Sequence, residues 1–295
     1  MHNKRLLICD LDNTLYDWVG YFVPSFYAMV DTAVEITGCD REGLLDDFRR
    51  VHQAHADSEQ PFALLETETI ERIYQGVPAP LVAKILDPAF HAFNSSRRRN
   101  IRLYPTVRET LNVLASSDLR LIAHTESKLY GVLDRLNRLD LFRYFSKIYC
   151  GERPSSRHRL PSVDVRWLDN FPMNKVVELS HHQRKPNPEV LLEICAIEGI
   201  DLDDVAYIGD SIARDVLMAR KANVFAVWAA YGSKHDPAIY KALVRVSHWT
   251  EVEVARERQL IEEAKSCRPD YTVEIFADII HVLENNAMSS KSVNS

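Results

Sequence analysis

The stretch LICDLDNTLYD, Leu7 to Asp17, reads as a buried strand that runs straight into an acidic turn. Leu6 to Cys9 is uninterrupted apolar sequence, as expected for a strand covered on both faces in a parallel sheet. Asp10 and Asp12 follow where that run stops. Separated by one residue, their side chains share a face of extended backbone. They fall at the carboxyl end of the strand, where ligand crevices open in α/β sheets. An acidic pair in a strand-ending turn is often merely solvated. The apolar strand before it, with Thr14 and Leu15 behind it, gives this pair a sharper reading.

Working outward, the chain has two textures. From Tyr16 to about Asn94 the patterns are helical, over Val19–Ile36, Arg41–His55, Ala63–Gln75 and Ala79–Phe93. Gly38, Pro61 and Gly76-Val77-Pro78 break them. No strand pattern interrupts this block, which predicts a separate helical unit inserted after the first strand. Arg97-Arg98-Arg99 with Arg102 reads as a solvated linker returning from it rather than as an anion-binding patch.

From Pro105 onward strands and helices alternate. Helices are expected over Thr106–Ala115, Lys128–Leu136, Pro188–Glu198 and Ile212–Lys221. Strands are expected over Leu119–Ala123, Lys147–Cys150, Val205–Ile208 and Phe225–Trp228. Alternation of this kind implies βαβ units and a parallel sheet with helices on both faces. Glu152 to Arg184, with prolines at 154, 161 and 172, reads as a long irregular segment. Ala238 to Lys265 reads as a polar, largely helical insertion before a last strand near Tyr271 to Val273, and Asn285 to Ser295 as a disordered tail.

A second acidic turn, in DDVAYIGDSIARD (Asp203 to Asp215), repeats the device of the first. A buried strand ends in Gly209-Asp210, and the helix that follows carries Asp215 near its first turn. Alone, Asp215 is equally an acid favoured by a helix N-terminus. Together, Asp10, Asp12, Asp210 and Asp215 would repel one another in a single crevice. A hard cation among them removes that conflict, and oxygen ligands in this number suit Mg²⁺, which shares phosphate oxygens readily. Thr125 directly follows the strand Leu119–Ala123 and His124, at the same sheet edge. Lys185-Pro186 closes the irregular segment just before a helix, where a lysine can reach a phosphoryl oxygen.

These four elements, in this order, resemble the haloacid dehalogenase-like hydrolase superfamily in its phosphatase branch. The first motif of that family matches Asp10-Leu11-Asp12-Asn13-Thr14, the second Thr125, the third Lys185, and the fourth Gly209-Asp210 with Asp215. The resemblance covers roughly residues 5 to 285 and departs from the family in the long connection Glu152 to Arg184. It implies an α/β fold, a Rossmann-like parallel sheet core over residues 1–15 and 100–285 with a small all-helical cap domain over 16–99, and a tail over 286–295.

It also implies a mechanism. Asp10 attacks phosphorus and becomes an aspartyl-phosphate, while Asp12 protonates the leaving group and then activates water. Mg²⁺ would be held by Asp10, the main-chain carbonyl of Asp12 and Asp210, with Asp215 in support. Thr125 and Lys185 would stabilise the phosphoryl oxygens. Asn13, Thr125, Glu126 and Lys185 are the candidate substrate-binding residues, Asn13 chiefly through shaping the turn. Dehalogenases of the superfamily lack an aspartate at the place of Asp12, so ester hydrolysis is favoured. Phosphate transfer to a second hydroxyl, as in the family's mutases, is the alternative, followed by a non-catalytic phospho-ligand-binding role.

Composition agrees with an enzyme of this kind. The 295 residues carry a net charge of −6, which argues against a nucleic-acid polymer or an anionic membrane as partner. No apolar run approaches a membrane span, and no signal peptide precedes the first strand. The five scattered cysteines read as reduced thiols of a cytoplasmic protein. The expected partner is a small phosphorylated metabolite, such as a nucleoside monophosphate or sugar phosphate, and the oligomeric state is open. Trp18, Tyr21 and Arg49 are candidates for the mouth of the cap, although packing is the commoner role of such residues. His181-His182 reads as a solvated loop pair.

Overall fold

The computed structural model describes residues 4–153 and 171–289, with side chains as far as Glu284. Seven parallel strands form one sheet in the order β4-β3-β2-β1-β5-β6-β7. They are β1 (Leu6–Cys9), β2 (Arg120–Lys128), β3 (Lys147–Gly151), β4 (Val176–Leu179), β5 (Val205–Gly209), β6 (Phe225–Ala229) and β7 (Tyr271–Val273). The strand with the acidic turn is therefore central, with β2 on one side and β5 on the other. The order reverses at β1, and this reversal opens a crevice beyond its carboxyl end.

Alternation along the strands divides the core between the two faces. Leu7 and Cys9 of β1 pack with α6 (Val107–Ala115), α7 (Leu129–Arg138) and the last helix, α12 (Asp278–Ser289). Leu6 and Ile8 face α8 (Pro188–Glu198) and α9 (Leu217–Lys221). This is the expected Rossmann-like parallel sheet with an all-helical cap.

The helical block holds α1 (Trp18–Thr37), α2 (Arg41–His55), α3 (Glu68–Ile73), α4 (Ala79–Ile85) and α5 (Asp87–Asn100). It has a hydrophobic cluster of its own, built on Phe22, Phe26, Phe48 and Phe93 among others. The two chain crossings between block and sheet lie side by side. Tyr16 bridges Leu103, Asp17 N donates to Arg102 O at 3.3 Å, and Tyr104 N donates to Leu15 O at 3.0 Å.

Several sequence expectations are corrected. The helix expected over Ala63–Gln75 is a 3₁₀ turn, Pro61–Glu66, followed by the short α3. The one expected over Ala79–Phe93 breaks at Leu86, ahead of Asp87-Pro88, and the second piece continues to Asn100. Arg97, Arg98 and Arg99 are thus the last turn of a helix, where cations complement the dipole. Arg97 pairs with Asp134 of α7 at 3.1 Å. Within the segment expected to be irregular, Val176–Leu179 forms the edge strand β4; positions 154–170 of it lie outside the described residues. Residues 286–289, assigned to the tail, continue α12, and 290–295 lie outside the described residues.

The insertion after β6 consists of α10 (Pro237–Val246) and α11 (Glu251–Ala264), which dock on different bodies. Leu243 and Val246 of α10 join the cluster of the helical block, and Tyr27 OH donates to Ala242 O at 3.1 Å. Leu260 and Ala264 of α11 pack against Ala213 and Leu217 beside the sheet.

Candidate active site

The carboxyl ends of β1, β2 and β5 bring most of the candidate residues together. Asp10 and Lys185 are buried, and Lys185 Nζ donates to Asp10 Oδ1 at 2.5 Å and to Asp215 Oδ1 at 2.8 Å. Thr14 Oγ1 donates to the other oxygen of Asp10 at 2.9 Å. Asp215 also accepts from Ser211 N at 3.0 Å and from Tyr207 OH at 3.1 Å. It lies so close to the tip of β5 that a Cβ on Gly209 would come within 2.3 Å of its carboxyl carbon. The Gly-Asp pair that ends β5 is therefore a packing requirement as well as a turn signal.

Ligand oxygens of Asp10, Asp210 and Asp215 lie within 4.8 Å of one another. One ammonium faces these three carboxylates. Burial, then the neighbouring Asp10 and Asp215, pushes Asp210 well above the usual carboxylate range, against the pull of Lys185. Burial raises Asp10 likewise; Lys185 opposes this and Asp215 adds to it. Burial disfavours the Lys185 ammonium, but Asp10 and Asp215 outweigh it and hold that group well above its ordinary value. The cluster is short of positive charge and its donors are hard oxygens. That donor set fits a hard divalent cation such as Mg²⁺.

The side chain of Asp12 is turned to different partners. Its Oδ2 accepts from Ser127 Oγ at 2.5 Å and from Thr125 Oγ1 at 3.3 Å, and its Oδ1 lies 3.3 Å from Arg135 Nε. Two carboxylates separated by one residue thus occupy different environments, one beside an ammonium and two acids, the other beside hydroxyls and a guanidinium. Asn13 takes a positive φ of 59°, and its Oδ1 accepts from Trp18 N at 3.1 Å and Val19 N at 3.4 Å. Its side chain ties the acidic turn to the start of α1. A Cβ on Gly232 would fall 1.8 Å from Asn13 O, so the turn after β6 backs this loop with no space between them. Glu126, placed by sequence among the substrate-binding candidates, pairs with Arg214 at 3.0 Å.

Other residues at the site escaped the sequence reading. Arg135 reaches both Asp12 and Glu59 from the buried face of α7. Glu59 comes from the helical block and accepts from Trp18 Nε1 at 3.1 Å. The signal available for Arg135 was a cation on the same helix face as Leu129, Val132, Leu133 and Leu136. Trp18 and Tyr21 do lie beside this network, Tyr21 OH accepting from Arg135 Nη1 at 3.0 Å. On α11, Arg256 Nη2 donates to Lys185 O at 2.8 Å, bracing the lysine from outside the sheet. His181 and His182 are exposed in a 3₁₀ turn.

Residues 4–223 match the family model described as haloacid dehalogenase-like hydrolase, and residues 182–279 match one described as HAD-hydrolase-like. The chain is 28% identical over 240 residues to a phosphoglycolate phosphatase of Agrobacterium fabrum, covering 79% of this chain and 84% of that one. It is 26% identical over 235 residues to a phosphoglycolate phosphatase of Pseudomonas syringae pv. tomato, covering 80% and 72%. In fold it is similar to the crystal structure of a 2-haloacid dehalogenase from Pseudomonas syringae pv. tomato DC3000. That likeness has a TM-score of 0.56 at 18% identity, over 95% of this chain and 98% of the other.

Proposed function

Because the chain belongs to the haloacid dehalogenase-like hydrolases, we propose that it is a Mg²⁺-dependent phosphatase acting on a small phosphorylated metabolite through a phosphorylated Asp10. The observation that carries this reading is the contact of Lys185 with both Asp10 and Asp215, beside an Asp12 engaged by hydroxyls. A nucleophile and a proton carrier need these separate surroundings.

In the first step a carboxylate oxygen of Asp10 bonds to phosphorus as the ester P–O bond breaks, and Asp12 gives its proton to the departing oxygen. In the second, water attacks the aspartyl-phosphate, Asp12 takes a proton from it, and phosphate leaves with Asp10 restored. Lys185 neutralises charge on Asp10 and the phosphoryl oxygens, and Thr125 offers a hydroxyl to them. Asp10, the main-chain carbonyl of Asp12 and Asp210 would hold Mg²⁺, with Asp215 in support, and the ion supplies the positive charge that the cluster lacks.

The curated relatives make phosphoglycolate the first ester to assay, alongside sugar phosphates, nucleoside monophosphates and p-nitrophenyl phosphate. Hydrolysis is expected to need added Mg²⁺, to stop with chelator, and to resume when the metal is restored. Calcium, which prefers more ligands and looser geometry, should substitute poorly. Full activity in excess chelator would overturn the metal assignment. Absence of hydrolysis across the panel would overturn the phosphatase reading.

A further inference from the structure

Arg135 joins the helical block to the acidic turn, and the chemistry above leaves it without a task. It is 1% exposed, on a helix face otherwise made of Leu129, Val132, Leu133 and Leu136. A guanidinium is costly to bury unless its donors are met, and a leucine would continue that face without cost. The donors are met by one set of partners. Nε donates to Tyr16 OH at 3.0 Å and lies 3.3 Å from Asp12 Oδ1, and Nη2 donates to Asp12 Oδ2 at 3.5 Å. Nη1 donates to Tyr21 OH at 3.0 Å and to the carboxylate of Glu59.

Glu59 reaches the site from the segment between α2 and the turn at Pro61, within the helical block. Ser127 Oγ stands between the two acids, 2.5 Å from Asp12 Oδ2 and 3.4 Å from Glu59 Oε1. Asp12 and Glu59 are thus held by the same guanidinium and the same serine. A planar fork of this kind fixes direction as well as distance.

We propose that Arg135 is a positioning residue: it sets the orientation of the Asp12 carboxyl for proton transfer, and Glu59, carried by the cap, completes that arrangement. The proposal rests on the phosphatase reading, since it concerns the proton carrier of that reaction. It makes Glu59 the means by which the cap's position is sensed at the acid. A misdirected acid harms a poor leaving group far more than a good one.

The test compares wild type with Arg135→Lys, Glu59→Gln, Asp12→Asn and the double variant Asp12→Asn/Arg135→Lys. The substrates are p-nitrophenyl phosphate and whichever of phosphoglycolate, glycerol phosphate and ribose 5-phosphate the wild type cleaves fastest. Arg135→Lys keeps the charge and loses the fork; it should lower kcat on the alkyl ester about tenfold or more, with KM little changed. Loss on the aryl ester should be much smaller. Glu59→Gln should shift the same ratio in the same direction. With Asp12 already replaced, the lysine substitution should add nothing. Equal losses on both esters, or additive losses in the double variant, would make Arg135 a fold residue and overturn the proposal. If Arg135→Lys fails to fold by circular dichroism, Glu59→Gln and Asp12→Asn/Glu59→Gln make the same comparison. A wild type that cleaves none of these esters, nor a nucleoside monophosphate, sinks the phosphatase reading itself, a result distinct from an active wild type with indifferent variants.

Discussion

Asp10 and Asp12 stand two positions apart on the chain and differ in nearly everything around them. Asp10 is held by Lys185 and Thr14, Asp12 by Ser127, Thr125 and Arg135. Asn substitutions should therefore have different consequences at the two positions. Asp10→Asn keeps size but removes the proposed nucleophile and one of the two acceptors that face Lys185 and Thr14, so turnover should fall to background and no phosphoenzyme should form. Asp12→Asn leaves the proposed nucleophile in place. It should retain far more activity on an acidic phenol ester than on an alkyl ester, because general acid–base help is worth roughly 10²–10⁴-fold. Equal losses on both esters and in both steps would reduce Asp12 to a residue of the fold or the metal. Sequence could raise these candidates because each stands at the end of a buried strand or the start of a helix, where chain position implies spatial position. Arg135 and Glu59 carry no such mark. They lie 76 residues apart, and only tertiary packing brings them together.

At the scale of elements, the central strands were legible because continuous apolar runs have one interpretation inside a parallel sheet. β4 was not, since VVEL is short, half-buried and set beside a proline-bearing segment without period. The end of α5 was missed because three arginines look like solvated linker. In the fold they satisfy a helix dipole, and Arg97 also crosses to α7. The contact of α2 with α10 has a measurable consequence. His52 of α2 is 1% exposed, and its Nδ1 lies 2.6 Å from Val246 O. Burial lowers it to about 4, against that hydrogen bond and Asp57, with His248 and His55 lowering it further. The unfolded chain takes up its proton near pH 6.5, and the folded chain resists until about 4. Stability from this site is therefore full above the unfolded value and is lost as pH falls toward the folded one, by about 3 kcal/mol in total. The melting temperature of wild type should drop more between about pH 7 and about pH 4.5 than that of His52→Gln. An equal drop would clear His52 of the acid sensitivity.

Across the whole molecule, the insertion after β6 serves two bodies. Its first helix is packed into the cluster of the helical block, and its second braces the sheet edge through Arg214–Glu257 at 2.7 Å and Arg256 on Lys185 O. Native-state hydrogen exchange should resolve this division: amides of α10 should open together with those of α1 and α2, and amides of α11 with the sheet core. A single opening event shared by α10 and α11, apart from the block, would contradict it. The arrangement also limits how far the molecule can gape. The two chain crossings at Tyr16 and Leu103 run side by side and form one narrow join between block and sheet. Two further connections hold α10 to the sheet, residues 234–236 from the 3₁₀ turn Ala230–Ser233 and residues 247–250 to α11, and His248 and Trp249 of the second are themselves bonded to Ser58 and Gln53 of the block. The shorter connection, from Ser233 to Pro237, reaches about 14 Å when fully stretched. While α10 stays seated, that connection bounds how far the block can draw back from the crevice, and so, on the proposed reading, the largest leaving group that can enter beneath it.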